Sequence, residues 1–168
     1  MPRLSSFLPS TLALGVPLLA SVALALARPR LKPEASTSTR FLVVVGLTIL
    51  VQAVHFLEEL RAEFYVRFPE AFGLQPFSAS FFVWFNVAWL AIWTVSLLAV
   101  RAGFVWATCP LWFLGLAMVL NFVAHPLLAL FAGGYFPGLL TAPLLGVLGA
   151  LVLHELKRVT APITSSRL

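Results

Sequence analysis

Five apolar stretches, each long enough to cross a lipid bilayer, dominate this sequence. They cover about residues 7–27, 41–60, 78–100, 104–131 and 137–154. Because the hydrocarbon core of a bilayer is about 30 Å thick, a spanning helix needs roughly 20 apolar residues. Hydrophobic residues make up 61% of the 168 residues and charged residues only 10%, which is more apolar than a soluble domain. The sequence therefore predicts an all-α integral membrane bundle with five transmembrane helices.

The first apolar stretch admits two interpretations. Residues 1–27 include an early basic residue, Arg3, and end in small residues, a pattern that is also typical of a cleaved signal peptide. The apolar run is longer than a usual signal-peptide core, which favours an uncleaved span; cleavage would leave four transmembrane helices. We expect a first span and basic linker at 1–40, a four-helix membrane domain at 41–156 and a short cytoplasmic tail at 157–168.

The basic residues lie in short clusters beside the apolar stretches. The net charge is +5, and such clusters indicate contacts with membrane lipids that carry anionic head groups, with no nucleic-acid partner. Counted on alternate sides of five spans, Lys and Arg are in excess on the side of the C-terminus, which should be cytoplasmic. The N-terminus is then expected outside, and the compact loops favour a bacterial inner membrane.

Polar residues from four of the stretches are expected at one depth of the bundle. The second stretch ends in "HFLEEL" (55–60), and charged side chains at membrane depth cost about 3 kcal/mol each unless they face a polar interior. At about 100° per residue, Gln52 lies on the same helix face as His55. The predicted pocket is formed by Gln52, His55, Glu58 and Glu59 with Asn86, Asn121, His125, Tyr135 and Thr141.

A metal site is the sharpest hypothesis for this pocket. His55 and Glu59 are four residues apart on one helix face, and His125 would come from another helix. Two imidazoles and one carboxylate match an open zinc site or the facial triad of a non-haem iron enzyme. Glu58 is expected to act as general base or as a further ligand, and Asn121 to orient His125 or bind substrate.

Simpler interpretations exist for several of these residues. The glutamates would also fit an interfacial position capped by Arg61 and Arg67, and this is the favoured interpretation for Glu63 and Glu70. Asn86 would equally suit a hydrogen bond between helices. The segment "GGYFPG" (133–138) is typical of a turn and alternatively of a lid. At the far end, solvated charge is the expected explanation for His154 and Glu155.

Four sequence elements together carry a family resemblance. They are "HFLEEL" (55–60), "FNVAWL" (85–90), "NFVAH" (121–125) and "GGYFPGLLTAPLL" (133–145). In this order they resemble the HXXEE-domain family of small multi-spanning membrane proteins, over roughly residues 41–156. The resemblance implies that His55, Glu58 and Glu59 are signature positions. It implies companion positions at Asn86, Asn121, His125 and the "YFPG" at 135–138, and it carries no reaction.

Three functions remain open from the sequence. The first is a metal-dependent membrane enzyme, hydrolase-like or oxidoreductase-like, that uses a divalent metal such as Zn or Fe on an amphiphilic or lipid-like substrate. The second is a proton-coupled transporter or permease, although no continuous polar path leads from the pocket to the opposite side. The third is a non-catalytic membrane subunit whose polar layer only fixes helix packing.

Overall fold

Seven helices and one short strand pair form the part of the chain that the computed structural model describes, residues 8–162. The helices are α1 (Leu8–Ala27), α2 (Pro33–Ser36), α3 (Thr39–Arg61), α4 (Phe64–Glu70), α5 (Ala79–Arg101), α6 (Thr108–Phe131) and α7 (Ala142–Val159). A single 3-10 turn, Val105–Ala107, precedes α6, and the strands are β1 (Arg30–Leu31) and β2 (Thr160–Ala161). Each of the five apolar stretches thus contains one long helix.

Three of the helical segments are long and apolar enough to cross a membrane. They are Thr39–Arg61, Ala79–Arg101 and Val105–Phe131, while Leu14–Ala27 is a shorter apolar helix. The described residues confirm the all-α fold, and their three candidate spans fit a membrane protein; the predicted five spans are not shown.

Serine side chains define where two of the long helices begin. Ser38 Oγ accepts a hydrogen bond from the Phe41 backbone N–H at the start of α3 (3.4 Å), and Ser78 Oγ accepts one from Phe81 at the start of α5 (3.2 Å). These contacts satisfy backbone donors that have no partner within the first helical turn. Both helices therefore begin within two residues of the predicted starts.

Glycines bring the backbones of α6 and α7 close together. A Cβ atom at Gly149 would lie 2.7 Å from Met118 Cβ and 2.8 Å from the Gly115 carbonyl oxygen. Small residues permit this approach, which is common between helices of membrane proteins. Helices α1 and α5 pack against α6, and α3 packs against α5 and α7. The α6–α7 hairpin thereby fixes the position of the loop between them, residues 132–141.

The last long helix begins later than the sequence predicts. The predicted stretch starts at residue 137, whereas α7 begins at Ala142, and Gly138 has a positive φ of 87°. This left-handed conformation is one that glycine adopts readily and that interrupts a helix. The residues before Ala142 consequently belong to the loop, where they contact α3.

The strand pair closes the end of the bundle that is opposite the loop at residues 132–141. Arg30 pairs with Ala161 and Leu31 with Thr160 in antiparallel register. The Arg28 guanidinium donates to Thr160 Oγ1 (2.9 Å) and to the Lys157 carbonyl oxygen (2.8 Å). We call this end, where the β1–β2 pair lies, the basic end, and the end at Arg61 and residues 132–141 the site end.

Glu155 corrects one expectation from the sequence. Its side chain is 0% exposed and forms ion pairs with Arg40 Nε at 2.8 Å and with Arg158 Nη1 at 2.6 Å. The prediction of solvated charge is therefore wrong for Glu155, whereas the neighbouring His154 is exposed. The error arises because Arg40, at the start of α3, is distant in sequence and covers the carboxylate only after folding.

Candidate metal centre

Two histidines and one glutamate meet at the site end. His55 and Glu59 occupy one face of α3, and His125 extends from α6. Each imidazole Nε2 lies 3.5 Å from Glu59 Oε1, and the three ligand atoms of the group lie within 4.8 Å of one another. The side chains are 0%, 7% and 3% exposed in the order His55, Glu59, His125. The three predicted ligands thus form one buried group.

Hydrogen bonds on the far side of each ring set the direction in which the histidines point. His125 Nδ1 lies 2.6 Å from the Pro137 carbonyl oxygen, which can only accept, so Nδ1 donates to it and the ring turns Nε2 toward Glu59. His55 Nδ1 lies 2.6 Å from Thr141 Oγ1. An outer ring nitrogen held by an oxygen acceptor is the pattern that metal-binding histidines use, although His55 Nε2 also lies 3.4 Å from Asn121 Nδ2.

Glu58 lies outside this group, is linked to His55 through Thr141, and holds the loop between α6 and α7. Its carboxylate accepts hydrogen bonds from the Tyr135 hydroxyl (2.9 Å), the Leu140 backbone N–H (3.0 Å), and the Thr141 backbone N–H (3.0 Å) and hydroxyl (2.6 Å). Because Thr141 donates its hydroxyl proton to Glu58, its oxygen is left to accept from His55. Glu58 therefore acts on the site through the loop, and it lies outside the group of three.

Tyr135 remains a hydrogen-bond donor over a wide pH range. Burial, together with its hydrogen bond to the negatively charged Glu58, raises the pKa of Tyr135 to about 12. Its carbonyl oxygen accepts from Arg67 Nη2 (2.9 Å), and the Arg67 guanidinium also lies over the Phe136 ring at 5.5 Å. Arg67, expected as a cap for the glutamates, instead stabilises the loop.

Gly138 lies directly against both imidazoles. A Cβ atom at this position would collide with the rings of His125 and His55, and its φ of 87° already favours glycine. The loop can approach the site this closely only because residue 138 lacks a side chain. The "GGYFPG" segment is predicted as a turn or a lid and its "YFPG" positions include Gly138, but no sequence pattern indicates that Gly138 and the Pro137 carbonyl contact the imidazoles.

The remaining predicted pocket residues are divided between the group and its surroundings. Asn121 Nδ2 lies 3.4 Å from His55 Nε2, so it approaches His55 rather than His125, which it was expected to orient. Asn86 Nδ2 donates to the Phe82 carbonyl oxygen of its own helix (3.0 Å). Glu63 and Glu70 are exposed.

A cavity of about 410 Å³ extends between the helices from Glu59 and His125, which line it, whereas His55 does not. Its polar lining consists of Gln52, Glu59, Asn86, Asn121 and His125. Its remaining walls are apolar and largely aromatic, and they include Phe82, Phe85, Trp89, Trp93 and Phe113, with Leu14 and Leu18 of α1. Two buried polar atoms of its lining residues, Gln52 Oε1 and Trp93 Nε1, have no hydrogen-bond partner among the described residues.

Comparison with known proteins adds no family to this geometry. No protein-family model, no curated protein and no solved structure matches the chain. The resemblance to the HXXEE-domain family therefore stays a prediction, and the functional argument rests on the side chains themselves.

Proposed function

We propose that this chain is a metal-dependent membrane enzyme in which His55, Glu59 and His125 hold one divalent ion. The observation that supports it is the convergence of two imidazole Nε2 atoms on one carboxylate oxygen, at 3.5 Å each. In a tetrahedral site with bonds of about 2.1 Å, neighbouring ligand atoms are about 3.4 Å apart. Two of the three separations match this value, whereas the remaining one, between the two imidazoles, extends to 4.8 Å and must shorten for one ion to bind all three side chains.

Zinc and hydrolysis are the preferred combination. The iron alternative requires ligands on one face of an octahedron, about 3.0 Å apart, which the 3.5 Å separations match less well. Two histidines and one carboxylate leave a coordination position for water, and bound zinc makes that water a nucleophile near neutral pH. Asn121, beside His55, is placed to hydrogen bond to this water or to a substrate carbonyl.

The cavity supports an amphiphilic substrate. Its lining includes two of the proposed ligands, Glu59 and His125, and the neutral polar residues Gln52, Asn86 and Asn121, whereas the rest of its surface is aromatic and aliphatic. Its volume of about 410 Å³ lies in the range of ligand sites, about 300–1,000 Å³. A polar head at the metal with an apolar tail along the aromatic wall would match both parts.

We further propose that α1 and α7 also span the membrane, which gives five spans with the N-terminus outside and the C-terminus in the cytoplasm of a bacterium. Helix α1 packs against α6 and lines the cavity, which supports its retention as a span. The 18 residues of α7 extend about 27 Å, close to the thickness of the hydrocarbon core. The excess of Lys and Arg at the basic end supports this orientation.

Metal analysis of the detergent-purified protein tests the proposal. We expect about one zinc ion per chain in the wild type after reloading, and less than a tenth of that in Glu59→Gln and His125→Ala. Glu155→Gln is the matched control, because it makes the same chemical change in a buried carboxylate at the basic end. Equal metal content in all four proteins would refute the metal site.

A further inference from the structure

Gln52 is a lining residue of the cavity and has a buried side-chain oxygen, Oε1, without a hydrogen-bond partner among the described residues. Its side chain is 5% exposed. Because Oε1 has almost no accessible surface, a ligand in the cavity reaches this acceptor once the amide turns toward it. A buried acceptor without a donor is unfavourable. A ligand that supplies a donor at this point would therefore bind more tightly than one that does not.

The position of Gln52 relates this acceptor to the proposed ion. Gln52 precedes His55 by three residues and Glu59 by seven on α3, and it lines the same cavity as Glu59. Three residues of an α-helix correspond to a rise of about 4.5 Å. The donor on the ligand should thus lie a few bonds along the molecule from the atom that reaches the metal.

The charges around the cavity indicate which head groups suit it. Among the described residues that line it there is no Lys or Arg, and the only charged carboxylate is that of Glu59. Phosphate groups are generally bound by several Arg, Lys or backbone N–H donors. A phosphodiester head is therefore a poor match, whereas a small neutral or carboxylate head needs only the metal and neutral polar groups.

From these observations we infer the substrate class: a single-chain amphiphile whose small head combines a metal-binding oxygen with an N–H or O–H donor to Gln52 Oε1. The alkyl chain would follow the aromatic wall inward past Trp89 and Trp93 toward α1. The inference depends on the proposed metal only for the contact of the head oxygen. The role of Gln52 can be tested separately.

Two ligands that differ in one donor provide the test. N-decanoylglycine carries an amide N–H beside its carboxylate, and its ester analogue, O-decanoyl glycolic acid, has an oxygen in place of that N–H. Calorimetric titration of the zinc-loaded protein in lipid nanodiscs, with empty nanodiscs as blank, should show about tenfold tighter binding of the amide, the expected effect of one buried hydrogen bond.

Variants of α3 assign this preference to Gln52. Gln52→Met preserves the length of the side chain and removes the acceptor, so we expect it to bind the amide about tenfold more weakly and the ester unchanged. Thr48→Val is the control, because Thr48 is buried one turn away and its hydroxyl bonds to the Val44 carbonyl oxygen (2.7 Å); it should keep the preference.

Equal binding of amide and ester by the wild type, or a preference that persists in Gln52→Met, would overturn the inference. Tighter binding of decylphosphocholine than of either ligand would overturn the head-group assignment. Zinc content measured on the same samples separates the two proposals: a preference for the amide in protein that binds no zinc would support the role of Gln52 and refute the metal site.

Discussion

Two buried carboxylates lie at opposite ends of this bundle, and they differ in the charge that surrounds them. Glu155 contacts Arg40 and Arg158, whose guanidinium groups are permanent cations. Glu59 contacts two imidazoles, which are not permanent cations near neutral pH. Among the described residues, Glu59 therefore has no permanently charged cation as a partner, whereas Glu155 has two.

This difference separates a structural ion-pair cluster from an incomplete site. A buried charge is stable when it is paired and hydrogen-bonded, and it is unfavourable otherwise. At Glu155, Oε2 accepts a hydrogen bond from Arg158, and Oε1 lies 2.8 Å from Arg40 Nε as an ion pair without a hydrogen bond, so the carboxylate is balanced in charge by two cations. The group at Glu59 gains most from a bound cation, and it also opens into a cavity. The same residue type thus has a structural role at the basic end and a proposed chemical role at the site end.

The largest expected effect is on stability at the basic end. In metal-free protein, Glu155→Gln should lower the free energy of unfolding by about 3–5 kcal/mol, because it removes the charge that both arginines contact. Glu59→Gln should change it by less than about 1 kcal/mol or raise it, since a neutral amide is easier to bury than a carboxylate whose only partners are two imidazoles. Denaturant unfolding with a chelator present measures both.

Equal destabilisation by the two substitutions would contradict the comparison. It would indicate that Glu59 also serves packing, as a non-catalytic polar layer would.

The next effect concerns the loop over the site. Gly138→Ala introduces a Cβ against both imidazoles at a positive φ, so we expect a loss of about 1–3 kcal/mol in stability and a drop of about 10–100-fold in zinc affinity as the rings shift. Gly134→Ala is the control, because the space around Gly134 is open. Zinc titration of both variants measures the effect, and retained affinity in Gly138→Ala would refute the close loop contact.

The smallest effect should appear only at alkaline pH. The pKa of Tyr135 is raised to about 12 in the folded protein, against about 10 for an unperturbed tyrosine. Its contribution to stability is therefore complete below pH 10 and lost as the pH rises through 12. Wild type should lose stability across this interval more steeply than Tyr135→Phe, as followed by unfolding at fixed pH values. Parallel curves for the two proteins would contradict the hydrogen bond to Glu58.

Much of the helical organisation follows from hydropathy alone. The stretches at 41–60 and 78–100 correspond to the helices Thr39–Arg61 and Ala79–Arg101. A long apolar run in a membrane forms an α-helix because the helix satisfies its own backbone hydrogen bonds, and a serine before the run caps its start. The short helices α2 and α4 and the strand pair were not predicted. These elements depend on contacts between segments that are far apart in sequence, so no local sequence pattern predicts them.

The residues of the site could be predicted from the sequence, but the different roles of Glu58 and Glu59 could not. Glu58 and Glu59 are adjacent on α3, so a turn of about 100° sends them to different neighbours. Only the folded loop shows that Glu58 receives four hydrogen bonds from residues 135–141 while Glu59 faces the histidines. The sequence placed both in one pocket because spacing alone cannot distinguish them.

The hydrogen bond from His125 to the Pro137 carbonyl oxygen has a consequence for how this site will look in mutagenesis. A main-chain oxygen is retained whatever side chain stands at position 137, so a substitution scan would report only the effect of proline on loop shape. Mutagenesis would therefore not show that any particular amino acid is required at position 137, although the main-chain oxygen there orients one of the two imidazoles. Replacing that peptide bond by an ester or lengthening the loop by one residue would expose its role.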